Sequence, residues 1–235
     1  MASILKPSPC FPSLKAWCEY CSGSSPSLNN IRRAFTLLMR TAYANIADSE
    51  EYGEALACRS YSDDDQASNI SIQPASVIDP GDTQNVPGIL VAVPEGFQFQ
   101  RRSMNPIASR SPDFASSQQI TTGVATVSFT CRDKDADIAC LMADLSLLVL
   151  MAARDAAFKA WGAWLLDYEV LGQSEPRLVR NEDDPKIYWY ESVVTLRLSL
   201  VYGAAVSVES KRMTGGSVYA ILPSGEQEGY IPCPK

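Results

Sequence analysis

The chain has 235 residues, of which 46% are hydrophobic and 20% charged, a composition typical of a globular protein. Its net charge of −7 argues against a surface that grips nucleic acid, because such surfaces cluster Lys and Arg against phosphates. The chain contains no histidine, which removes the commonest general base and metal ligand and weakens an enzymatic interpretation without excluding it.

Seven cysteines are spaced irregularly behind an N-terminus that lacks a signal-peptide core, which favours free thiols in a reducing cytoplasm. Cys18 and Cys21 have the spacing of half a zinc knuckle or of a redox pair. Zinc would need two more ligands, and a redox pair would need a βαβ context, so we expect no metal and no cofactor. The longest apolar run, residues 145–153, is shorter than the ~20 residues that span a bilayer, so we expect no membrane association.

The first 27 residues contain four prolines and a Ser-Gly-Ser-Ser-Pro-Ser run, which predicts an irregular N-terminal arm. Trp17 and Tyr20 lie in this arm and would need a surface to cover. Ser27 is a favourable N-cap for a helix that begins at Leu28 and continues to about Ile46. One face of that helix is apolar, with Ile31, Phe35, Leu38, Met39 and Ala42 at helical spacing.

Two polar segments, residues 47–86 and 103–120, are predicted as long loops, with a short strand near Ile70 and Ile72 in the first. Between them, residues 88–93 and 97–101 are rich in β-branched and aromatic side chains. They flank a Pro94-Glu95-Gly96 turn, a pattern that predicts a β-hairpin.

The strongest signal begins with a strand at residues 124–131, followed by a helix from about residue 135 to residue 160. Asp133 or Asp135 is expected to cap this helix. Its predicted core stripe consists of Ile138, Leu141, Met142, Leu145, Leu148, Val149 and Ala152. Leu147, Leu150 and Met151 lie off that stripe, and a helix that is apolar on more than one face is usually buried on more than one face.

Gly162 is expected to end the helix, before a strand at residues 164–171 and a polar excursion at residues 173–186. Residues 187–201 form the longest predicted strand, and residues 203–235 are predicted to be a C-terminal arm. The order of elements predicts an α+β two-layer sandwich, with a mostly antiparallel sheet and two amphipathic helices on one face. Residues 28–202 would be the core domain, and residues 1–27 and 203–235 its arms.

Three acidic runs, residues 63–65, 133–137 and 182–184, have the residue types of a cation or catalytic site. The second lacks the glycine and the distal glutamate of a calcium loop, and its acids favour a helix N-terminus. Adjacent acids in a loop normally stay solvated, so we expect no catalytic residue in these runs. Aromatic residues, Trp189 among them, bracket the excursion, and those that exceed the needs of the core would suit a subunit interface.

Residues 123–201 contain five predicted elements in a fixed order. A strand is followed by a helix entered through acidic residues, a strand after Gly162, an excursion with glutamate and proline, and a closing strand at 188–201. This pattern resembles the C-terminal half of the tail terminator, or tail completion, proteins of long-tailed bacteriophages. The helix that contains residues 30–40 is similar to the helix that opens these proteins. The resemblance covers roughly half of the chain.

The resemblance implies a homo-oligomeric ring, typically of six subunits, that closes the head-proximal end of the tail tube and meets the connector of the head. Its partners would be other copies of itself, the tail tube protein and the connector, and DNA would pass through the lumen without specific binding. Assembly would occur in the host cytoplasm and the product would be part of the virion. The residues that we expect at the subunit interface are Trp17, Tyr20, Leu147, Leu150, Met151 and Trp189.

Other functions stay open at this point. The chain would also suit another neck, head-completion or tail-tube component, because these proteins share much of their architecture. A different class is a small-ligand-binding α+β module, monomeric or dimeric, with an apolar cavity under the hairpin. A cysteine- or carboxylate-dependent enzyme would need two convergent functional groups, and the sequence offers no pair that can be justified.

Overall fold

The computed structural model describes residues 14–23, 26–48, 52–64, 67–75, 86–99, 109–110, 116–181, 184, 186–207, 217–221 and 227–232. The helices are α1 (Lys15–Ser22), α2 (Leu28–Ala44), α3 (Gly53–Leu56) and α4 (Ala136–Trp161), with short 3-10 helices at Ile46–Asp48, Ala57–Arg59 and Gly162–Trp164. The strands are β1 (Ser71–Pro74), β2 (Gly88–Ala92), β3 (Phe97–Phe99), β4 (Ser109–Arg110), β5 (Ser116–Asp133), β6 (Leu165–Gln173), β7 (Arg177–Arg180), β8 (Tyr188–Ser207), β9 (Ser217–Ile221) and β10 (Gln227–Pro232).

A long antiparallel ladder between β5 and β8 runs through the centre of one open, mixed sheet. On the far side of β5 lie β2, β3 and β4, and on the far side of β8 lie β6, β7 and β9. β1 extends the sheet beyond β2 in parallel, and β10 extends it beyond β9 in antiparallel pairing. Within the described part of the chain, β1 and β6 therefore lie at opposite edges of the sheet.

The predicted fold class is confirmed: the protein is α+β, with α2 and α4 on one face of a mostly antiparallel sheet. Alternate residues of β5, namely Ala125, Val127, Phe129 and Cys131, are buried on the helix side. Their partners on β8, including Leu196 and Leu198, share that face, as the alternation in the sequence predicts. Phe35 of α2 packs edge-on against Phe129, with ring centroids 5.7 Å apart, so α2 rests directly on the sheet.

The helix boundaries follow the capping signals of the sequence. The Ser27 side chain accepts a hydrogen bond from the amide of Asn30, and the Asp135 side chain accepts one from the amide of Asp137. Gly162 ends α4 with φ of +51°, a backbone conformation that side chains with a Cβ rarely adopt. Asp133, the other candidate cap, instead pairs with Arg59, whose Nε lies 2.7 Å from Oδ2.

The predicted hairpin at residues 88–101 is wrong. β2 and β3 do not pair with each other; both pair with β5, at residues 128–132 and 123–125 respectively. The segment between β2 and β3 therefore connects two short strands that lie one after the other along β5, and it does not form the turn of a hairpin. A strand as long as β5 offers enough backbone for both short strands, and Pro94, which has no amide hydrogen, interrupts the pairing between them.

The predicted N-terminal arm is also corrected, because residues 15–22 form helix α1 and belong to the core. Trp17 is 1% exposed, and its Nε1 donates a hydrogen bond to the Ala34 carbonyl over 2.8 Å. Its ring packs against Phe35 and Trp161, at centroid distances of 6.0 and 6.1 Å. The arm therefore covers its own subunit from about residue 14 onward, and residues 1–13 lie outside the described part.

Segments predicted as loops or arms also contain regular structure. The short strand expected near Ile70 and Ile72 is present as β1. Within residues 47–86 lie also α3 and the 3-10 helix Ala57–Arg59, and β4 and the start of β5 lie within residues 103–120. β7 lies within the predicted excursion, and β8 continues to Ser207, past the predicted core boundary. The backbone of β9 and β10 then continues the sheet within the predicted C-terminal arm.

Candidate assembly surface

Three of the six residues expected at a subunit interface are buried within the subunit, which corrects those expectations. Trp17 is held in the core by α1, as described above, and Leu150 is completely buried. Trp189 is 2% exposed, and its Nε1 donates to Oε1 of Glu191 over 3.0 Å while the guanidinium of Arg132 lies over its ring. These side chains already have partners, so they are not available to a second copy. Tyr20 and Leu147 are half-buried, and Met151 is 57% exposed.

The correction at Leu150 reflects the orientation of α4. Its buried face contains Met142, Ser146, Val149, Leu150 and Ala153, and the Leu150 carbonyl accepts a hydrogen bond from the Tyr168 hydroxyl over 2.9 Å. Leu148 and Ala152, which belong to the predicted stripe, are exposed instead. Because α4 is apolar almost all round, periodicity alone did not determine which side faces the sheet.

An exposed apolar surface lies where α4 passes over the edge strand β6. The structure has a groove of about 730 Å³ there, lined by Leu147, Met151 and Arg154 of α4 and by five residues of β6. Leu166 and Leu171 of β6 are also exposed, at 54% and 52%. We call this surface the α4–β6 flank, and define it by Leu147, Met151, Arg154, Leu166, Asp167, Glu169 and Leu171.

Two β-bulges present the exposed leucines of this flank. The pairing of β6 with β8 shifts by one residue between Leu165 and Asp167 and again between Val170 and Gly172, which leaves Leu166 and Leu171 without partners in the ladder. Gly172 has φ of +126°, so the second bulge relies on a conformation that glycine accepts readily. Bulges on an edge strand also discourage direct strand addition. A partner is therefore expected to meet this flank through side chains.

The charged groups of the α4–β6 flank are mainly acidic. Asp167 and Glu169 line the groove, but they pair with Ser199 and Arg197 of β8, which lie on the face of the sheet opposite α4. An oxygen of Glu169 lies 3.8 Å from Arg197, and both side chains are about half exposed. Asp144, one helical turn before Leu147 and Leu148, accepts a hydrogen bond from the side chain of Gln173. Arg154 is the basic member of the groove lining.

A buried ionic cluster lies on the other face of the sheet, around Glu191. Oε2 accepts a hydrogen bond from Arg177 over 3.0 Å, and Oε1 accepts the bond from Trp189. Arg132 Nε lies 2.9 Å from Oε1, but its hydrogen is not aligned with an acceptor, so this contact is an ion pair and not a hydrogen bond. Burial alone raises the pKa of Glu191, but the Trp189 hydrogen bond and the two arginines outweigh it, and the pKa lies below its ordinary value. This cluster ties β5, β7 and β8 together.

The thiols and acids of the described residues are considered next as possible metal ligands. Within the described residues there is no cluster of three or more Cys, Asp or Glu side chains that could hold a metal ion. Burial raises the pKa of Cys21 and of Cys131 to about 12, so both stay protonated at neutral pH. Cys18 and Cys21 lie on α1 and are free thiols, whereas Cys10, Glu182 and Asp183 lie outside the described residues.

One helical segment in the described part of the chain, Ala136–Trp164, is long and apolar enough to cross a membrane, with a mean hydropathy of 2.0. The core helix of a globular protein passes the same test by length and composition. The buried face of α4 packs on the sheet through side chains such as Val149 and Leu150, while its other face contributes to the α4–β6 flank.

No family model matches this chain, and no curated protein matches it either. The resemblance to tail terminator proteins therefore stays a prediction.

Proposed function

We propose that this chain is a structural virion protein of a tailed bacteriophage, and that it forms a homo-oligomeric ring at the head–tail junction. There the ring terminates the tail tube and joins it to the connector. The observation that carries the proposal is the α4–β6 flank, where Met151, Leu166 and Leu171 are each more than half exposed in the isolated subunit. Contiguous exposed apolar surface marks a site that binds another protein, and in this proposal the three side chains contribute to one such surface.

The magnitude of the hydrophobic effect supports a stable contact. Burying one large aliphatic side chain contributes about 1.5–3 kcal/mol, so covering these three residues contributes several kcal/mol to each interface. A closed ring repeats that contribution at every interface. Leu166 and Leu171 lie at register shifts of β6, outside the β6–β8 ladder, which supports a contact with a neighbouring copy through these side chains.

The electrostatic character of the chain also suits this role. A net charge of −7 and the absence of histidine fit a protein with no need to grip DNA or to catalyse a reaction. A lumen lined by acidic subunits repels the DNA phosphates, so that the polymer passes without adhering. The order of elements in residues 123–201 adds the resemblance to tail terminator proteins, and a different position in the neck or tube is the nearest alternative.

Light scattering of the purified chain and immunogold labelling of virions test the proposal together. We expect a ring of several subunits in solution and label at the head–tail junction. Leu171→Asp should shift the mass towards the monomer, because it places a charge in the interface. Leu178→Asp is the matched control, since Leu178 is a similarly exposed leucine of the neighbouring strand β7 outside the flank, and it should keep the ring. Label elsewhere in the virion would contradict the junctional position.

A further inference from the structure

A polar pocket lies at the β1 edge of the sheet, at the opposite edge from β6 and the α4–β6 flank. It has a volume of about 270 Å³ and lies between Arg40 of α2, the Tyr61 ring and the residues in and before β1. Ser68, Asn69 and Gln73 contribute polar side chains to its wall. Among the described residues that line the pocket, Arg40 carries the one formal charge, so the pocket has a positive group in a polar surround.

Two contacts hold Arg40 in place and leave part of its guanidinium unused. Nε donates to the Ile72 carbonyl over 3.0 Å, and the guanidinium carbon lies 5.2 Å from the centre of the Tyr61 ring. These contacts occupy one N–H group and one face of the guanidinium. Both η nitrogens have no hydrogen-bond acceptor in the part of the chain that the structure describes. An arginine anchored in this way is preorganised, because it loses little side-chain entropy when a ligand binds to its free edge.

The acids of the loop before β1 do not neutralise Arg40. Asp63 accepts a hydrogen bond from the Tyr61 hydroxyl over 3.2 Å, and neither Asp63 nor Asp64 lines the pocket. Among the described residues, no acid forms an ion pair with Arg40. The positive charge of Arg40 therefore remains available to an anion in the pocket.

The backbone of β1 adds a donor at the same edge. The amides of Ser71 and Ala75 donate to carbonyls in or next to β2, over 3.0 and 2.7 Å. Successive residues of a strand direct their backbone groups to alternate sides, so the N–H of Ile72 points away from β2. The Ile72 carbonyl points the same way, since it accepts the bond from Arg40. An N–H group and a guanidinium therefore meet at the free edge of β1, and both residues line the pocket.

We infer that this pocket binds a small carboxylate, with the η nitrogens of Arg40 and the N–H of Ile72 as donors. One positive charge matches a monoanion, and a guanidinium binds a carboxylate through two parallel N–H···O bonds. A phosphate monoester carries nearly twice that negative charge, for which the pocket has no second cation among its described residues. The volume is that of about nine water molecules, so a ligand of about ten non-hydrogen atoms fills it. This site does not depend on the proposed ring.

Saturation-transfer NMR with two matched probes tests the charge requirement on the full-length chain. N-acetylglycine and N-acetylglycinamide have the same size and the same amide, but only N-acetylglycine carries a carboxylate. We expect N-acetylglycine to bind with a dissociation constant of about 1–10 mM, and N-acetylglycinamide to bind at least about tenfold more weakly. Arg40→Gln should weaken binding of N-acetylglycine about tenfold. Arg33→Gln is the matched control, since Arg33 is an exposed arginine of the same helix that does not line the pocket, and it should leave binding unchanged.

Protection from an arginine reagent locates the site in the wild-type chain, so the test does not depend on a variant that folds. Phenylglyoxal reacts with free guanidinium groups, and peptide mass spectrometry measures its rate at each arginine. N-acetylglycine at about ten times its dissociation constant should slow modification of Arg40 about tenfold and leave the rate at Arg33 unchanged. Equal affinity for the two probes, no saturation transfer at about 50 mM, or an unprotected Arg40 would overturn the inference.

Discussion

Glu191 is a buried acid whose partners are brought together only in the folded state. It is 4% exposed, and its carboxylate meets Trp189 and two arginines contributed by β5 and β7. The side chain of Arg132 is almost as buried as that of Glu191, whereas that of Arg177 is largely exposed. The Arg132–Glu191 ion pair is therefore shielded from solvent, and the Arg177–Glu191 pair is not. Removing the charge of Glu191 would leave Arg132 buried without a counter-charge, which is far more costly than losing an exposed pair.

Glu191→Gln should therefore lower the free energy of unfolding at pH 7 by about 2–3 kcal/mol. Because the folded-state pKa of Glu191 is lowered, its stabilisation is complete above the unfolded-state pKa, near ~4.3, and disappears as the pH falls through the folded-state value. The gap between wild type and variant should close in acid. Urea unfolding at pH 7 and below pH 4 measures it, with Arg177→Gln as a control expected to cost less than about 1 kcal/mol. A gap that persisted in acid would contradict this account.

The cysteines should differ sharply in reactivity. Cys21 and Cys131 are buried and have pKa values raised to about 12 by that burial, whereas Cys58 is exposed. Iodoacetamide at pH 8 should therefore alkylate Cys58 in the native protein and leave Cys21 and Cys131 unmodified. Peptide mass spectrometry checks the result, and unfolding in urea should make all three react. Native labelling of Cys21 would show that α1 does not stay packed on the core.

At the scale of elements, α4 has one surface buried against the sheet and another exposed at the groove. Met142 is completely buried against the sheet, and Met151, on the same helix, is mostly exposed at the groove. The two methionines allow the same chemical change to be made at a core position and at a proposed interface position.

Met142→Ala should lower the free energy of unfolding by about 2–5 kcal/mol, because it leaves a cavity in the core. Met151→Ala should change it by less than about 0.5 kcal/mol and weaken assembly instead. Urea denaturation at a concentration where the ring has dissociated separates the two effects. Equal losses of stability from both variants would show that Met151 is part of the core.

Local signals in the sequence were sufficient where the structure is decided locally. Ser27, Asp135 and Gly162 define helix ends through contacts within a few residues, and the alternation of β8 determined which of its side chains face the core. The orientation of α4 was not predictable in this way, because small and large apolar residues surround it and the choice depends on Tyr168 and the sheet. The pairing of β2 and β3 with β5 depends on contacts distant in sequence, which a turn motif does not report.

For the whole molecule, the sequence predicted the layered class, and the structure located the candidate surface. The interface expectation was wrong for Trp17, Leu150 and Trp189, because aromatic and aliphatic residues serve a core and an interface by the same chemistry. Leu166 and Leu171 were missed, since a strand with two bulges does not show simple alternation. The available signal was their spacing of five residues. In a regular strand this spacing puts Leu166 and Leu171 on opposite faces of the sheet, so a bulge is needed to expose both.

In the subunit as a whole, the two edges of the sheet, at β1 and at β6, differ in the side chains that they expose. The β6 edge exposes Met151, Leu166 and Leu171, whereas at the β1 edge Arg40 of α2 donates a hydrogen bond to the Ile72 carbonyl. In the proposed ring, a second copy covers the exposed apolar side chains of the β6 edge. The proposed function therefore requires, first of all, that the chain assembles with itself.

Light scattering of the purified full-length chain across a range of concentrations tests that claim most directly. The account predicts a defined species at an integer multiple of the 25.6 kDa subunit mass, with six copies expected from the resemblance, that dissociates when Leu171→Asp is introduced. A wild-type chain that remains at the mass of one subunit at all concentrations would contradict it.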